Sequence, residues 1–475
     1  MISIAPPQSA NATTTFFPSD HIKNCSPNQQ LLPLTATLSP HDTLEVGGCD
    51  VPQLVHQYGS PLYIVDETTL RVAAQQYRQA FATYYPGESQ ILYASKAWSC
   101  LAICAIAASE GLGVDVVSGG ELYTALQAGV DPAQIYVHGN NKSPAELSFA
   151  IATGCVVIAD NWLELQQLAQ LATEMDPSTS PRVMLRITPG IECHTHDYIR
   201  TGHLDSKFGF DPSQLDQVLD FAQQHPEIRW LGFHAHIGSQ IFELQPHRDL
   251  TEVMVSWLAQ ARQRGLASVE TENFTSLNVG GGLGMRYVES DDPPTIDSWA
   301  QVIGEGIAAA CQHQNVPLPK LFCEPGRSLV GPACITAYSV GAHKEIPGIR
   351  TYLSVDGGMS DNPRPITYQS EYRAVVANRM STAATERVTV AGKHCESGDI
   401  VIQDILLPPT QPNDILVTLG TGAYNYSMAS NYNRLPRPAA VLVHNGEANL
   451  IVQRETYQDL VRQDRLPERL RSAPS

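Results

Sequence analysis

Reactive side chains in this sequence gather at the ends of short apolar runs. The stretch Ile91-Leu92-Tyr93-Ala94-Ser95-Lys96-Ala97 reads as a buried strand ending on a lysine with small neighbours. An ammonium there is costly unless it is paired or chemically used. Desolvation would lower its pKa and turn the amine into a nucleophile toward a carbonyl. The plainer reading is a lysine whose stem carries its charge out to water. Five more run ends carry similar material. Val114-Asp115-Val116-Val117-Ser118 offers a carboxylate and a hydroxyl, and His138-Gly139-Asn140-Asn141-Lys142 is a polar exit. The run 231–237 holds His234 and His236 two residues apart, hence on one face of a strand, and opens into Gly238-Ser239. Leu277-Asn278-Val279 runs into Gly280-Gly281-Gly282, and a last run ends in Glu324-Pro325-Gly326-Arg327.

Singly, each has an ordinary explanation: a tight turn, a core histidine, a surface ion pair. Together they describe a single ligand. Glycine amides, Ser239 and Arg327 make a phosphate cradle. Glu324 can face a ring nitrogen, His236 can lie on a flat ring, and Lys96 can reach an aldehyde. Those are the requirements of pyridoxal 5'-phosphate. A rival reading takes His234 and His236 as a metal pair, but the other run ends do not supply the remaining ligands. His194-Thr195-His196 sits in what reads as a substrate-side loop.

Such groups need a frame that brings strand ends together. From about residue 61 to 330, β-rich runs at 90–95, 114–118, 135–138, 156–160, 182–188, 230–237, 276–280 and 320–324 alternate with helical patterns. Eight such alternations predict a closed (β/α)8 barrel, whose active site lies at the C-terminal ends of its strands. Residues 331–475 change character, with β-rich runs between Gly, Pro and Asp turns, and predict a second, mostly β domain. Residues 31–60, with a strand near Leu44 and a short helix at 51–58, are expected to join it. Residues 1–30 are rich in Pro, Ser, Thr, Asn and Gln and read as a disordered tail.

The chain of 475 residues, 43% hydrophobic and 16% charged, can bury large cores. Its net charge of −18 argues against nucleic acid or an anionic membrane as partner. Ten scattered cysteines without a CxxC pair suggest reduced thiols. With no long apolar run, and no Lys or Arg before Lys23, the expected setting is cytoplasmic.

Longer stretches resemble the fold-type III pyridoxal-phosphate-dependent decarboxylases, which act on ornithine, arginine or diaminopimelate. The matching stretches are Tyr93–Ala97, Asp115–Leu122, His194–Gly202, Ser206–Gly209, His236–Gln240, Gly280–Gly282, Glu324–Arg327, Asp356–Met359, Arg364–Tyr368, Cys395–Asp399, Gly422–Tyr424, Ser427–Asn433 and Arg454–Leu460. The resemblance implies an alanine-racemase-like barrel, a β domain, and a homodimer with active sites at the subunit interface. It implies that Lys96 bonds the cofactor and His236 covers its ring. Glu324 would meet the ring nitrogen, with Asp115 nearby. Ser239, Gly280, Gly281, Gly282, Gly326 and Arg327 would hold the phosphate, and Tyr424 would close over it. Arg327, Arg364, Tyr368 and Tyr424 would bind substrate. Cys395 would be an acid, and Glu396 would meet a distal amine, both from the neighbouring subunit. A distal carboxylate calls for arginine, and Arg364 with Tyr368 points to meso-2,6-diaminopimelate, giving L-lysine and CO2. Ornithine, arginine or carboxynorspermidine as substrate, or a catalytically silent regulator, are the alternatives. Ser95, Trp98, Lys393 and His394 depart from the family's usual residues.

Overall fold

The computed structural model describes residues 16–17, 26–174, 180–191 and 205–471. The motif at 194–202, Cys25, Cys193 and much of the expected tail lie outside the described residues.

Eight parallel strands close a barrel: Ser89–Ala94, Gly113–Val116, Ile135–Val137, Val156–Ala159, Arg182–Arg186, Arg229–His234, Ser276–Asn278 and Lys320–Cys323. Each lies within a residue or three of its sequence-predicted run. Lys320–Cys323 pairs with Ser89–Ala94 to complete the closure. The helices between them turn their apolar faces inward; Gln245–Gln263, for example, buries Leu250, Met254, Val255, Trp257, Leu258 and Ala261. Inside the barrel, Leu92, Tyr136, Val156, Ile158, Met184, Leu231 and Phe322 form a separate apolar plug.

Side chains on a strand repeat every two residues. One step toward the C-terminal end therefore changes Tyr136 to His138, Ile158 to Asp160, Met184 to Arg186 and Phe322 to Glu324. All four are buried polar groups. The plug thus becomes the floor of a polar site.

The second body is a larger mixed sheet. Its order runs Ile400–Leu407, Glu386–Ala391, Arg350–Val355, Cys334–Ile346, Leu62–Asp66, Ala439–His444 and Glu447–Val452, with Ile415–Thr418 paired to the long strand Cys334–Ile346 and Ala374–Val376 paired to Ile415–Thr418. Two expectations are corrected here. Leu62–Asp66 stands between Cys334–Ile346 and Ala439–His444, so a boundary at residue 61 would put a central strand of the β sheet into the barrel. The tail does not extend to residue 30. Pro27–Gln29 is a 3-10 turn, and the buried Asn28 amide donates to Gly284 O at 3.0 Å and Pro294 O at 2.8 Å. Phe16 and Phe17 also pack against the β domain core. Among the described residues, no helix is long and apolar enough to cross a membrane.

Candidate active site

The barrel's upper rim gathers predicted residues from five strand ends, and Tyr424 joins them from the loop 422–427. The first barrel strand stops at Ala94, and Lys96 lies in the 3-10 turn Ser95–Ala97 that follows, not on the strand itself. The turn is held from the β domain. Tyr424 N and Ser427 Oγ both donate to Ala97 O at 2.9 Å, and Trp98 stacks on Tyr426 with ring centres 5.2 Å apart. Ser95 is buried and donates to Glu121 Oε2 at 3.2 Å.

The Lys96 amine is reached by water from the mouth yet is ringed by protein. Burial pushes its pKa down, as expected from sequence. Asp115, then Tyr424 and Glu324, more than reverse this, so the pKa is raised rather than lowered. Asp115 itself is pushed up to about 6, chiefly by burial. Its Oδ1 lies 3.7 Å from His138 Nε2 and has no hydrogen-bond partner among the described residues.

Glu324 is the most heavily coordinated group. His138 Nε2 lies 2.9 Å and Asn278 Nδ2 2.6 Å from its Oε1, and His234 Nε2 lies 3.1 Å from its Oε2. Burial alone would raise its pKa, but His138 and His234 outweigh that and hold the carboxyl well below its usual range. His234 is lowered to about 4 by burial, so near neutrality it is an uncharged N–H donor to an anion. The histidines do not form the rival metal pair. His234 serves Glu324, while His236 Nδ1 accepts the Gly281 amide at 3.2 Å. Burial, then Lys96, holds His236 neutral, well below its ordinary pKa. The ligating atoms of His138, His234 and Glu324 lie within 4.8 Å of one another, but their spacing is that of hydrogen bonds to a carboxylate.

The glycine turn touches Glu324 directly. A Cβ on Gly281 would stand 2.3 Å from Glu324 O. Next to it, Arg327 is buried and donates to Ser239 Oγ from Nε at 3.1 Å and Nη2 at 3.0 Å, and from Nη1 to Tyr287 OH at 2.8 Å. Its guanidinium lies 4.8 Å from the Tyr424 ring centre, and that of Arg364 lies 5.8 Å from the same ring and 5.4 Å from Tyr368. Arg364 is buried, donates to Ser370 Oγ at 3.2 Å, and leaves Nε without a hydrogen-bond partner. Among the described residues neither arginine makes an ion pair. Two buried guanidinium groups without a carboxylate form a site for anions.

Cys395 and Glu396 are exposed on a turn of the β domain. The Cys395 amide donates to Asn433 Oδ1 at 2.8 Å, and Tyr432 OH lies 3.5 Å from Glu396 Oε2. Sequence reasoning missed the supporting donors His138 and Asn278, although both lie at strand ends already singled out. It also missed Tyr287, which carries no motif. A cleft of about 950 Å³ in the β domain, lined by Tyr372, Arg379, Arg387 and Asp404 among others, includes none of the groups around Lys96.

This donor set fits a phosphorylated pyridine aldehyde: an amine, an anionic carboxylate fixed by three donors, a glycine turn with no room for side chains, and buried arginines. The family model for the pyridoxal-dependent decarboxylase pyridoxal-binding domain matches residues 68–331, over half of the chain. A diaminopimelate decarboxylase of Synechocystis is 64% identical over 94% of this chain and 95% of its own length. One from Bacillus subtilis is 46% identical over 90% and 97%. The solved diaminopimelate decarboxylase of M. jannaschii in complex with L-lysine superposes with a TM-score of 0.85 at 31% identity, covering 93% of this chain and 100% of that one. With Lys96, Glu324 and Arg327 in place on the barrel rim, the chain belongs to the pyridoxal-dependent decarboxylases, and pyridoxal phosphate is its cofactor.

Proposed function

We propose that the protein removes CO2 from meso-2,6-diaminopimelate to give L-lysine, the last step of lysine synthesis. The observation that carries the substrate is the buried Arg364, with a free Nε beside Tyr368 and Tyr424. A substrate without a second carboxylate, such as ornithine, would leave that guanidinium unpaired.

Pyridoxal phosphate, when bound, supplies an electron sink for the pair left on the α-carbon as CO2 departs. Everything else falls to the chain. Lys96 would hold the cofactor through its amine. Asp115, with the largest favourable effect on Lys96, would hold the amine in its charged form until the cofactor arrives. Glu324, kept anionic by His138, His234 and Asn278, would meet the ring nitrogen and favour its protonated form. Neutral His236 would cover the ring. Ser239, Gly280, Gly281, Gly282, Gly326 and Arg327 would hold the phosphate. Arg364 and Tyr368, with Arg327, would grip the distal carboxylate. Tyr424 would cover the site and exclude water.

In this proposal the active unit is a homodimer, in which Cys395 delivers a proton near the reacting carbon of its neighbour and Glu396 meets the distal amine. The exposure of both side chains on a β-domain turn supports that reading. We place the enzyme in the cytoplasm, where the free thiols of its described cysteines would stay reduced.

The test adds meso-diaminopimelate to the purified holoenzyme while CO2, lysine and the cofactor absorption band are followed. Lysine should appear, and Lys96→Ala should abolish both band and product. A normal band without lysine would overturn the substrate. Inactive Lys96→Ala and Cys395→Ala chains should regenerate activity when mixed. Proven heterodimers with none would overturn the shared site.

A further inference from the structure

The turn bearing Cys395 and Glu396 is built around one carboxylate. Asp399 Oδ2 accepts from His394 N at 3.0 Å and lies 2.6 Å from His394 Nδ1, while Oδ1 accepts from Met359 N at 2.7 Å. Its own backbone closes the turn: Gly392 N donates to Asp399 O at 2.9 Å and Asp399 N to Glu396 O at 3.1 Å. A Cβ on Gly392 would lie 2.1 Å from Asp399 Oδ2, so the carboxylate fills the space that a side chain at 392 would need.

His394 is fully buried through its side chain, although the residues on either side of it are exposed. Its Nδ1 carries the proton, because its partner is a carboxylate. Its ring lies parallel to that of Tyr432, 5.9 Å between centres and 14° between planes, and the Tyr432 hydroxyl reaches toward Glu396. Nε2 is buried without a hydrogen-bond partner among the described residues. An apolar side chain would fill this space without orphaning a nitrogen, which is unfavourable when buried. What the imidazole adds is therefore the bond to Asp399, made in a plane set by Tyr432.

We infer that His394 is a positioning residue for the reaction: bonded to Asp399 and stacked on Tyr432, it sets the direction in which Cys395 and Glu396 project into the neighbouring active site. This rests on the proposed role of those two residues across the subunit interface. The linkage is short. His394 adjoins Cys395, whose amide is pinned by Asn433, and its ring backs the phenol that faces Glu396.

The test compares three holoenzyme variants. His394→Asn puts an amide N–H where Nδ1–H now lies. His394→Gln carries its N–H one bond further out. His394→Phe keeps the ring and removes the donor. The readouts are kcat and KM for meso-diaminopimelate, the rate at which iodoacetamide labels Cys395 as located by peptide mapping, the cofactor band, and Tm. His394→Phe and His394→Gln should lose at least tenfold in kcat/KM and change Cys395 labelling severalfold with the cofactor band intact. His394→Asn should return to within about threefold of the parent. The Asn–Gln contrast decides the matter even if the Phe variant fails to fold. Equal activity in Asn and Gln, whether both high or both low with a matching fall in Tm, overturns the inference. Cys395→Ser separates the two layers. If it keeps full kcat, the role of Cys395 falls and that of His394 with it. If it is impaired while His394→Gln is not, only the inference about His394 falls.

Discussion

Glu324→Gln is the substitution for which the structure sets the firmest expectation, because all three polar neighbours of that carboxylate donate. His138 and Asn278 meet Oε1 at 2.9 and 2.6 Å, and His234 meets Oε2 at 3.1 Å. An amide has one accepting oxygen. Placed at Oε1 it keeps two donors and turns its NH2 toward His234 Nε2. His234 can answer only by moving its proton to Nδ1, which is buried and without a partner. An unsatisfied buried donor costs about 1–3 kcal/mol. The fold should therefore lose roughly that much, seen as a Tm lower by a few degrees. Catalysis should lose more, because in the proposed site a fixed anion that would meet the ring nitrogen is replaced by a neutral group. Removing one preorganised electrostatic partner typically costs about 100- to 1,000-fold in kcat, or about 3–4 kcal/mol. Steady-state lysine release, with cofactor loading matched by absorbance, gives the answer. The expected pattern is a kcat down by at least 100-fold and a KM changed less than fivefold, because Arg364 and Tyr368 are untouched. Glu324→Asp, which keeps the charge but retracts it from the histidines, should fall between. A fully loaded Gln variant with kcat within threefold of the parent would refute the reasoning and leave the three donors as core satisfaction alone.

Other consequences are as direct. Gly281→Ala sets a methyl 2.3 Å from Glu324 O, and strand-end backbone on both sides resists movement, so apoenzyme titrated with pyridoxal phosphate should bind at least tenfold more weakly. Lys142 and Glu164 form a buried pair at 2.6 Å, burial lowering the first pKa and raising the second. Lys142→Met should cost about 3–5 kcal/mol by denaturant titration, and adding Glu164→Leu should recover most of it. Asp361 is pushed from 3.8 up to about 7, chiefly by burial. The native state thus holds a proton that the unfolded chain has released between those values. Stability from this group is fullest below pH 4 and falls as pH rises through 7, by on the order of 4 kcal/mol in all. Asp361→Asn, which can still accept from Gly358 N, should flatten the decline in Tm between pH 5 and 8, and an unchanged slope would count against it.

The barrel was legible because eight β-rich runs ending in polar groups repeat one pattern, and the structure turns that pattern into a polar site two residues above an apolar floor. The β domain was less so. Glu447–Val452 is a half-exposed edge strand without alternation, and Ile400–Leu407 is broken by Asp404 at φ 53°, so neither read as a strand. Leu62–Asp66 is buried along its whole length. Such a run looks the same in a barrel or in the middle of a sheet, which is why its owner was misplaced. The site shows the deeper limit. Sequence places Lys96 at the end of an apolar run, and desolvation there predicts a lowered pKa. The opposite sign comes from Asp115 on the second strand and Glu324 at the end of the eighth, carboxylates 19 and 228 positions away that only closure of the barrel brings near the amine. The amine is therefore protonated until something removes its proton, and Asp115 is the group that does most to hold that proton in place. Asp115→Asn should accordingly lower the Lys96 pKa and speed cofactor capture at neutral pH more than at pH 9. Slower capture, by the same factor at both pH values, would mean that the carboxylate holds shape rather than setting the charge of the amine.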